Sequence, residues 1–193
     1  QEAERRWKSR GDKPIPLTTE VVNLEKHHDP FVTKTKEPFD IVACQMAIHY
    51  FFKEELVFEN FYSIVKASLK SGGHFLFTVF NGKRVRELIN NTGDKGIIWL
   101  NKNGNKMLQL QEGEGGMQTK SPFNNKLTVF LETIGEHPEY LVDIDWLLDR
   151  VKDDFTVVKH ESFEKMHDKW FGSLTQNLAK FSFLYDCIVL RKK

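Results

Sequence analysis

The chain has 193 residues, 40% of them hydrophobic and 12% aromatic, with 16 phenylalanines. That is enough apolar surface to bury one sizeable core, which excludes a chain disordered throughout and suits a single domain over residues 1–193. A net charge of +1 excludes nucleic-acid binding by bulk phosphate attraction alone, so any such role rests on local patches and specific pockets.

In chain order, residues 1–10 resemble the end of a charged helix, broken by Gly11 to Pro16. Leu17 to Asn23 is a candidate short strand, and Glu25 to Pro38 is a polar loop. Phe39-Asp40-Ile41-Val42-Ala43-Cys44 is apolar without polar alternation, the pattern of a parallel strand buried on both faces. Residues 53–70 follow with helical spacing, Val57, Phe61, Ile64, Val65 and Leu69 forming one stripe. Ser71-Gly72-Gly73 is expected to end that helix, and His74 to Phe80 to form a second apolar strand. Strand, helix and strand within about forty residues imply a parallel crossover unit.

Asn81-Gly82 then turns into a helix over roughly residues 83–91, whose charged face carries Lys83, Arg84 and Arg86. Ile97 to Gln111 reads as a hairpin around Asn103-Gly104-Asn105, within an irregular insertion at about 97–135. Gly113 to Asn125 is loop, rich in Gly, Ser and Asn, and Lys126 to Ile134 is a strand that His137-Pro138-Glu139 interrupts. Asp143 or Asp145 caps a helix over Trp146 to Lys152. Phe155 to His160 and a long stretch from Leu178 to Leu190 complete the strands.

Cys44 and Cys187 are too few for a disulfide framework. No Cys/His cluster has zinc spacing, and the neighbours His27-His28 rarely chelate one metal together, so no metal site is expected. No apolar run reaches the length of a membrane span, and the polar start has no signal-peptide character. The first residue is not Met, and the chain is expected to continue a longer polypeptide.

An α/β sheet of parallel strands presents ligands beyond the carboxyl ends of its strands. The first such end is Gln45-Met46-Ala47-Ile48-His49-Tyr50-Phe51-Phe52, an amide, an imidazole and several aromatic rings. A purine could be held there by stacking and by hydrogen bonds to its edge, or the rings could simply pack beneath the following helix.

The run Phe39 to Tyr50 resembles the signature of mRNA cap guanine-N7 methyltransferases: FDI, small or apolar residues, Gln, then an apolar stretch ending in His-Tyr. Ser71-Gly72-Gly73-His74-Phe75, His137-Pro138-Glu139-Tyr140-Leu141-Val142 and Phe183-Leu184-Tyr185 resemble the family's later segments, in its order. The likeness is strongest to the methyltransferase domains of large cytoplasmic DNA virus capping enzymes, of asfarvirus and poxvirus type. It implies a Rossmann-like α/β fold of the S-adenosylmethionine-dependent class, a mostly parallel sheet with antiparallel C-terminal strands. The family's Gly-rich turn and its ribose-binding acid do not precede residue 39, so the first two strands are expected upstream of residue 1.

The resemblance also assigns roles. His49 and Tyr50 would line the cap guanine pocket, Glu139 would accept from guanine N1–H and the exocyclic amine, and Tyr185 would close the pocket. Gln45 would bind the methyl donor S-adenosylmethionine, as would Asn23, with Asp29 the alternative. The implied partner is the capped 5′ end of mRNA, with triphosphatase and guanylyltransferase domains in the same polypeptide and residence in the host cytoplasm or virion. Methyl transfer to N7 would proceed by in-line attack without a general base, since N7 carries a lone pair and no proton. Two rival readings are a small-molecule methyltransferase of the same fold and an inactive methyltransferase-like module that binds a partner. None of Arg5, Arg6, Lys8, Arg10, Lys83, Arg84 and Arg86 is assigned to phosphate, because a solvated helix face accounts for each.

Overall fold

A computed structural model describes residue 5 and residues 22–25, 37–114, 116–117, 120–170 and 174–193. The expected helix at 1–10, the break at 11–16 and most of the strand at 17–23 lie outside the described residues, as does Asp29. The main sheet has the order β1-β2-β8-β7, where β1 is Phe39–Gln45, β2 Leu69–Phe80, β7 Phe155–Ser162 and β8 Tyr185–Lys192. A second sheet is built from β3 (Gly96–Leu100), β4 (Lys106–Glu112), β5 (Lys126–Leu131) and β6 (Gly135–Tyr140), in that order and wholly antiparallel.

The crossover is present. β1 pairs parallel with β2, and a 3-10 helix (Ile48–Lys53) and α1 (Glu55–Ser68) connect them. The apolar stripe of α1 is its buried face, with Phe61, Ile64 and Val65 inside and Phe58 and Tyr62 beside them. Two details differ from expectation. The helix stops at Ser68 and β2 has already begun at Leu69. Ser71-Gly72-Gly73 therefore marks an irregularity inside the strand, where the pairing jumps from Phe39↔Leu69 to Ile41↔His74 and Gly72 takes a φ of +78°. Nor is β1 buried on both faces. Among the described residues it pairs only with β2, and Ile41 is 60% exposed.

β2 pairs antiparallel with β8, and β8 with β7, so one of the three pairings of the described main sheet is parallel. The expected majority of parallel pairs is not seen among the described residues. The apolar run 178–190 is not one strand. Its first part is a short helix (Gln176–Ser182), which turns Phe181 inward, and β8 begins only at Tyr185.

Among the described residues, the region 97–135 expected to be irregular contributes three strands, β3, β4 and β5. β3 and β4 form the expected hairpin, whose loop is tied by the Asn101 side chain accepting from the backbone N–H groups of Asn103 and Asn105, with Gly104 at φ +80°. His137-Pro138-Glu139 does not interrupt a strand but lies inside β6. Proline is tolerated there because β6 is the edge of its sheet, where a missing N–H need not break a ladder.

Each sheet supplies a core. Phe58, Phe61, Tyr62 and Val65 of α1 pack on Phe75, Phe77, Ile188 and Leu190 of the main sheet, and on α3 (Ile144–Val151). Trp99, Leu108, Leu110, Leu127 and Val129 on the inner face of the second sheet cover α2 (Gly82–Thr92), Phe80 and Tyr185. Of the two acids expected to cap α3 it is Asp143 that does so, accepting from Trp146 N–H, and at α2 Asn81 accepts from Arg84 N–H. Gly82 must be glycine, since a Cβ there would meet the Val142 carbonyl oxygen at 2.6 Å. That close approach joins the end of β2 to the strap between β6 and α3, with Gly82 N–H donating to Val142 O at 3.1 Å.

Candidate functional site

At the carboxyl end of β1 the chain turns sharply. Met46 takes a φ of +49°, and its N–H donates to the Thr78 hydroxyl of β2 at 2.9 Å. Gln45 is left exposed at the strand end, and the 3-10 helix that follows presents His49 and Tyr50 side by side, ring centroids 4.1 Å apart. His49 is buried at 2% exposure, whereas Tyr50 keeps 42%. Ile48, Phe51 and Phe52 of the same helix point into the core. The packing role weighed for this run thus falls to its phenylalanines and not to Tyr50.

Glu139 reaches the same place from the other sheet. In β6 it lies opposite Leu127, and His137 opposite Val129, so both side chains share the inner face of that sheet. Glu139 is 4% exposed. Its Oε1 is 3.0 Å from His137 Nε2, and its Oε2 is 3.6 Å from His49 Nδ1, too far for a hydrogen bond. Among the described residues, Glu139 Oε2 and both ring nitrogens of His49 are buried without a hydrogen-bond partner.

The electrostatics follow from burial. Desolvation, with help from the charge of His137, lowers the His49 pKa to about 4, so its imidazole is neutral at pH 7 and its contact with Glu139 is not an ion pair. Burial pushes the Glu139 carboxyl above its ordinary range, while the hydrogen bond and charge of His137 pull it back. Tyr50 and Tyr185 are both raised, first by burial and then by the charge of Glu139, so both phenols stay neutral. Tyr185 stands at the start of β8, its ring 4.0 Å from Phe80.

The structure thus brings His49, Tyr50 and Glu139 together, with Tyr185 near enough to be raised by the charge of Glu139. Asn23 has local contacts instead: exposed, it accepts the Glu25 N–H on its own side-chain carbonyl at 3.0 Å, while Glu25 O accepts from Asn60 of α1.

Two features escaped the sequence reading. His137 was seen only as part of a segment. Asp186, fully buried at 0% exposure, was not noticed at all. It accepts from Asn81 Nδ2 at 2.9 Å, from the Arg84 guanidinium and from His160 Nε2 at 2.8 Å. Burial raises an isolated carboxyl, but these donors outweigh it and hold Asp186 below the usual carboxylate range. Arg84 also donates to Phe183 O at 2.6 Å, so it is an anchor between α2 and β8 rather than a solvated helix-face residue. An unpaired acid in an apolar run beside Tyr185 was the available signal.

For the methyl donor, the fitting feature is Gln45, an exposed amide just past the end of a parallel strand, where such sheets present ligands. No helix of the described residues is long and apolar enough to cross a membrane.

Comparison with known proteins gives consistent results. The family model of the mRNA (guanine-N(7))-methyltransferase domain matches residues 17–181. An mRNA cap guanine-N(7) methyltransferase of Caenorhabditis briggsae is 31% identical over 107 residues, covering 54% of this chain and 25% of that protein. A probable mRNA-capping enzyme of Acanthamoeba polyphaga mimivirus is 29% identical over 68 residues, covering 35% of this chain and 6% of that protein. The chain therefore spans a quarter or less of these two relatives. The crystal structure of an S-adenosylmethionine-dependent methyltransferase from Clostridium acetobutylicum superposes with a TM-score of 0.55 at 13% identity, covering 98% of this chain and 69% of that one. That likeness speaks to the fold: the α/β architecture is that of a Rossmann-like methyltransferase.

Proposed function

Since the chain belongs to the mRNA (guanine-N(7))-methyltransferase domain family, we propose that it forms the guanine-reading part of an enzyme that methylates N7 of the mRNA cap. The observation that carries this reading is the pair of stranded polar groups, Glu139 Oε2 and the His49 ring nitrogens, buried beside the half-exposed ring of Tyr50. Buried polar atoms without partners are costly, and a ligand that supplies partners repays the cost. Guanine presents two adjacent donors, N1–H and the exocyclic amine, and a carboxylate accepts both with charge-assisted strength. Adenine lacks that pair of donors.

S-adenosylmethionine, when bound, supplies an electrophilic methyl group, and Gln45 at the end of β1 is the residue here that would hold it. The rest of the work is placement. N7 carries a lone pair and no proton, so no base is required, and His49, neutral at pH 7, need not act as one. The pocket holds N7 facing outward by gripping the opposite edge of the base, which favours a near-attack geometry. The guanine ring gains positive charge during transfer. Glu139 and the faces of Tyr50 and Tyr185 form surroundings that favour a cationic ring. In the same reading the capped 5′ end of mRNA is the substrate, and triphosphatase and guanylyltransferase domains lie in the same polypeptide, working in the cytoplasm or the virion.

The test is methyl transfer by the whole protein to GpppG-capped RNA, set against small amine and hydroxyl acceptors. Transfer to capped RNA that Glu139→Ala abolishes supports the reading. Transfer only to small acceptors, or full activity in Glu139→Ala, overturns it.

A further inference from the structure

We propose that His137 is a positioning residue for the guanine-reading carboxylate: it holds Glu139 by Oε1 and thereby keeps Oε2 an acceptor. The inference rests on the reading of Glu139 given above and adds a residue to it.

The argument begins with proton placement. His137 Nδ1 lies 3.3 Å from the Gly135 carbonyl oxygen, which can only accept, so Nδ1 carries a hydrogen. Its Nε2 lies 3.0 Å from Glu139 Oε1. One proton occupies that second contact, on nitrogen in an imidazolium–carboxylate pair or on oxygen in an imidazole–carboxylic acid pair. The two forms have the same proton count, and in both of them Oε2 carries no hydrogen. It can therefore accept from guanine whichever form prevails. A buried carboxyl without this partner could carry its proton on either oxygen, and a proton on Oε2 would meet the donor edge of guanine head-on.

No other described neighbour makes a hydrogen bond to Glu139. The groups of β5 opposite His137 and Glu139 are Val129 and Leu127. From the 3-10 helix, His49 stands on the Oε2 side at 3.6 Å, and Tyr50 faces Glu139 through its charge. From β8, Tyr185 faces it in the same way. Neither phenol is hydrogen-bonded to Glu139, whose Oε2 has no partner, so His137 is the hydrogen-bond partner of Glu139 among the described residues. The His137 side chain is 19% exposed and that of Glu139 6%, so the histidine lies on the solvent side of the pair.

The test is calorimetric titration of the whole protein with GpppG between about pH 5.5 and pH 8.5, for wild type, His137→Ala, His137→Gln and Glu139→Ala. Wild-type affinity should change little across most of this range. His137→Ala should bind within a few-fold of wild type at the alkaline end. It should then weaken by about tenfold per pH unit below a midpoint displaced upward from the wild-type one. His137→Gln, whose amide can donate to Oε1, should show an intermediate midpoint, and it carries the test if the alanine variant fails to fold. A loss of the same factor at every pH would mean a merely structural role and overturn the proposal, as would a His137→Ala profile identical to wild type. Glu139→Ala binding GpppG as wild type does would instead sink the underlying pocket assignment.

Discussion

His49 Nδ1 and Glu139 Oε2 stand 3.6 Å apart, each buried and without a hydrogen-bond partner among the described residues, although one comes from the 3-10 helix after β1 and the other from β6 of the second sheet. Protein interiors seldom leave two polar atoms so close and so unsatisfied, because each costs roughly 1–3 kcal/mol. Under the proposed function, a bound guanine would donate to Glu139 Oε2.

Replacing Glu139 by Gln keeps the volume of the side chain and removes its charge. One donor of guanine would then face a second donor. Affinity for GpppG should fall by roughly 10- to 100-fold, the worth of a charge-assisted bond. Titration of the purified variant, with a thermal melt to show that it is folded, measures this. An affinity within twofold of wild type would remove Glu139 from the pocket.

Tyr50 offers a complementary case. At 42% exposure it contributes little to the core, while its ring is available for stacking. Tyr50→Ala should weaken binding of capped dinucleotide by about 1–3 kcal/mol. Its unfolding free energy should change by less than about 1 kcal/mol. A large drop in stability with unchanged binding would reverse the assignment.

His49 makes stability depend on pH. Its pKa falls from 6.5 in the unfolded chain to about 4 in the fold. The unfolded state then binds more protons between those values, so the fold loses stability as pH drops from about 6.5 towards 4. By pH 5 the loss from this group is about 2 kcal/mol, at 1.36 kcal/mol per unit. Glu139 is shifted upward and works in the opposite sense, so the informative quantity is the difference between wild type and His49→Gln. Urea unfolding at pH 7 and pH 5 should show the gap between the two proteins close as pH falls. A constant gap would contradict the buried neutral imidazole.

Asp186 should be the most sensitive of the structural residues. Asp186→Ala leaves Arg84, Asn81 and His160 without their common acceptor and should cost about 3 kcal/mol or more. Because its folded pKa is depressed, its contribution is whole at neutral pH. That contribution is lost only as pH falls below about 4, the unfolded carboxylate range. Denaturant titration of wild type and variant at pH 7 and pH 3 reads both effects. Equal stability at pH 7 would dismiss the hub.

Much of the architecture was legible because it is written in local pattern. The stripe of α1, the hairpin at Asn103-Gly104-Asn105 and the cap at Asp143 depend on residues within a few positions of one another. The misreadings share a cause. Pro138 signals a strand break in the sequence, but an edge strand accommodates it, and the alternation that puts His137 and Glu139 on one face exists only once β6 is formed. The run 178–190 is apolar enough for a strand, but Phe181 is needed in the second core and the chain reaches it as a helix.

Contiguous residues carry the family likeness, the crossover from β1 to β2 and the strand end beyond which His49 and Tyr50 project, so all three can be read along the chain. What His49 and Tyr50 meet depends on long-range packing. Glu139 lies ninety positions later in the chain, on another sheet, and its distance from His49 is set by how the inner face of that sheet packs on the 3-10 helix. Burial then does what no sequence pattern states: it strips water from a carboxyl and an imidazole, shifts both towards neutrality, and leaves them with unmet hydrogen-bonding capacity.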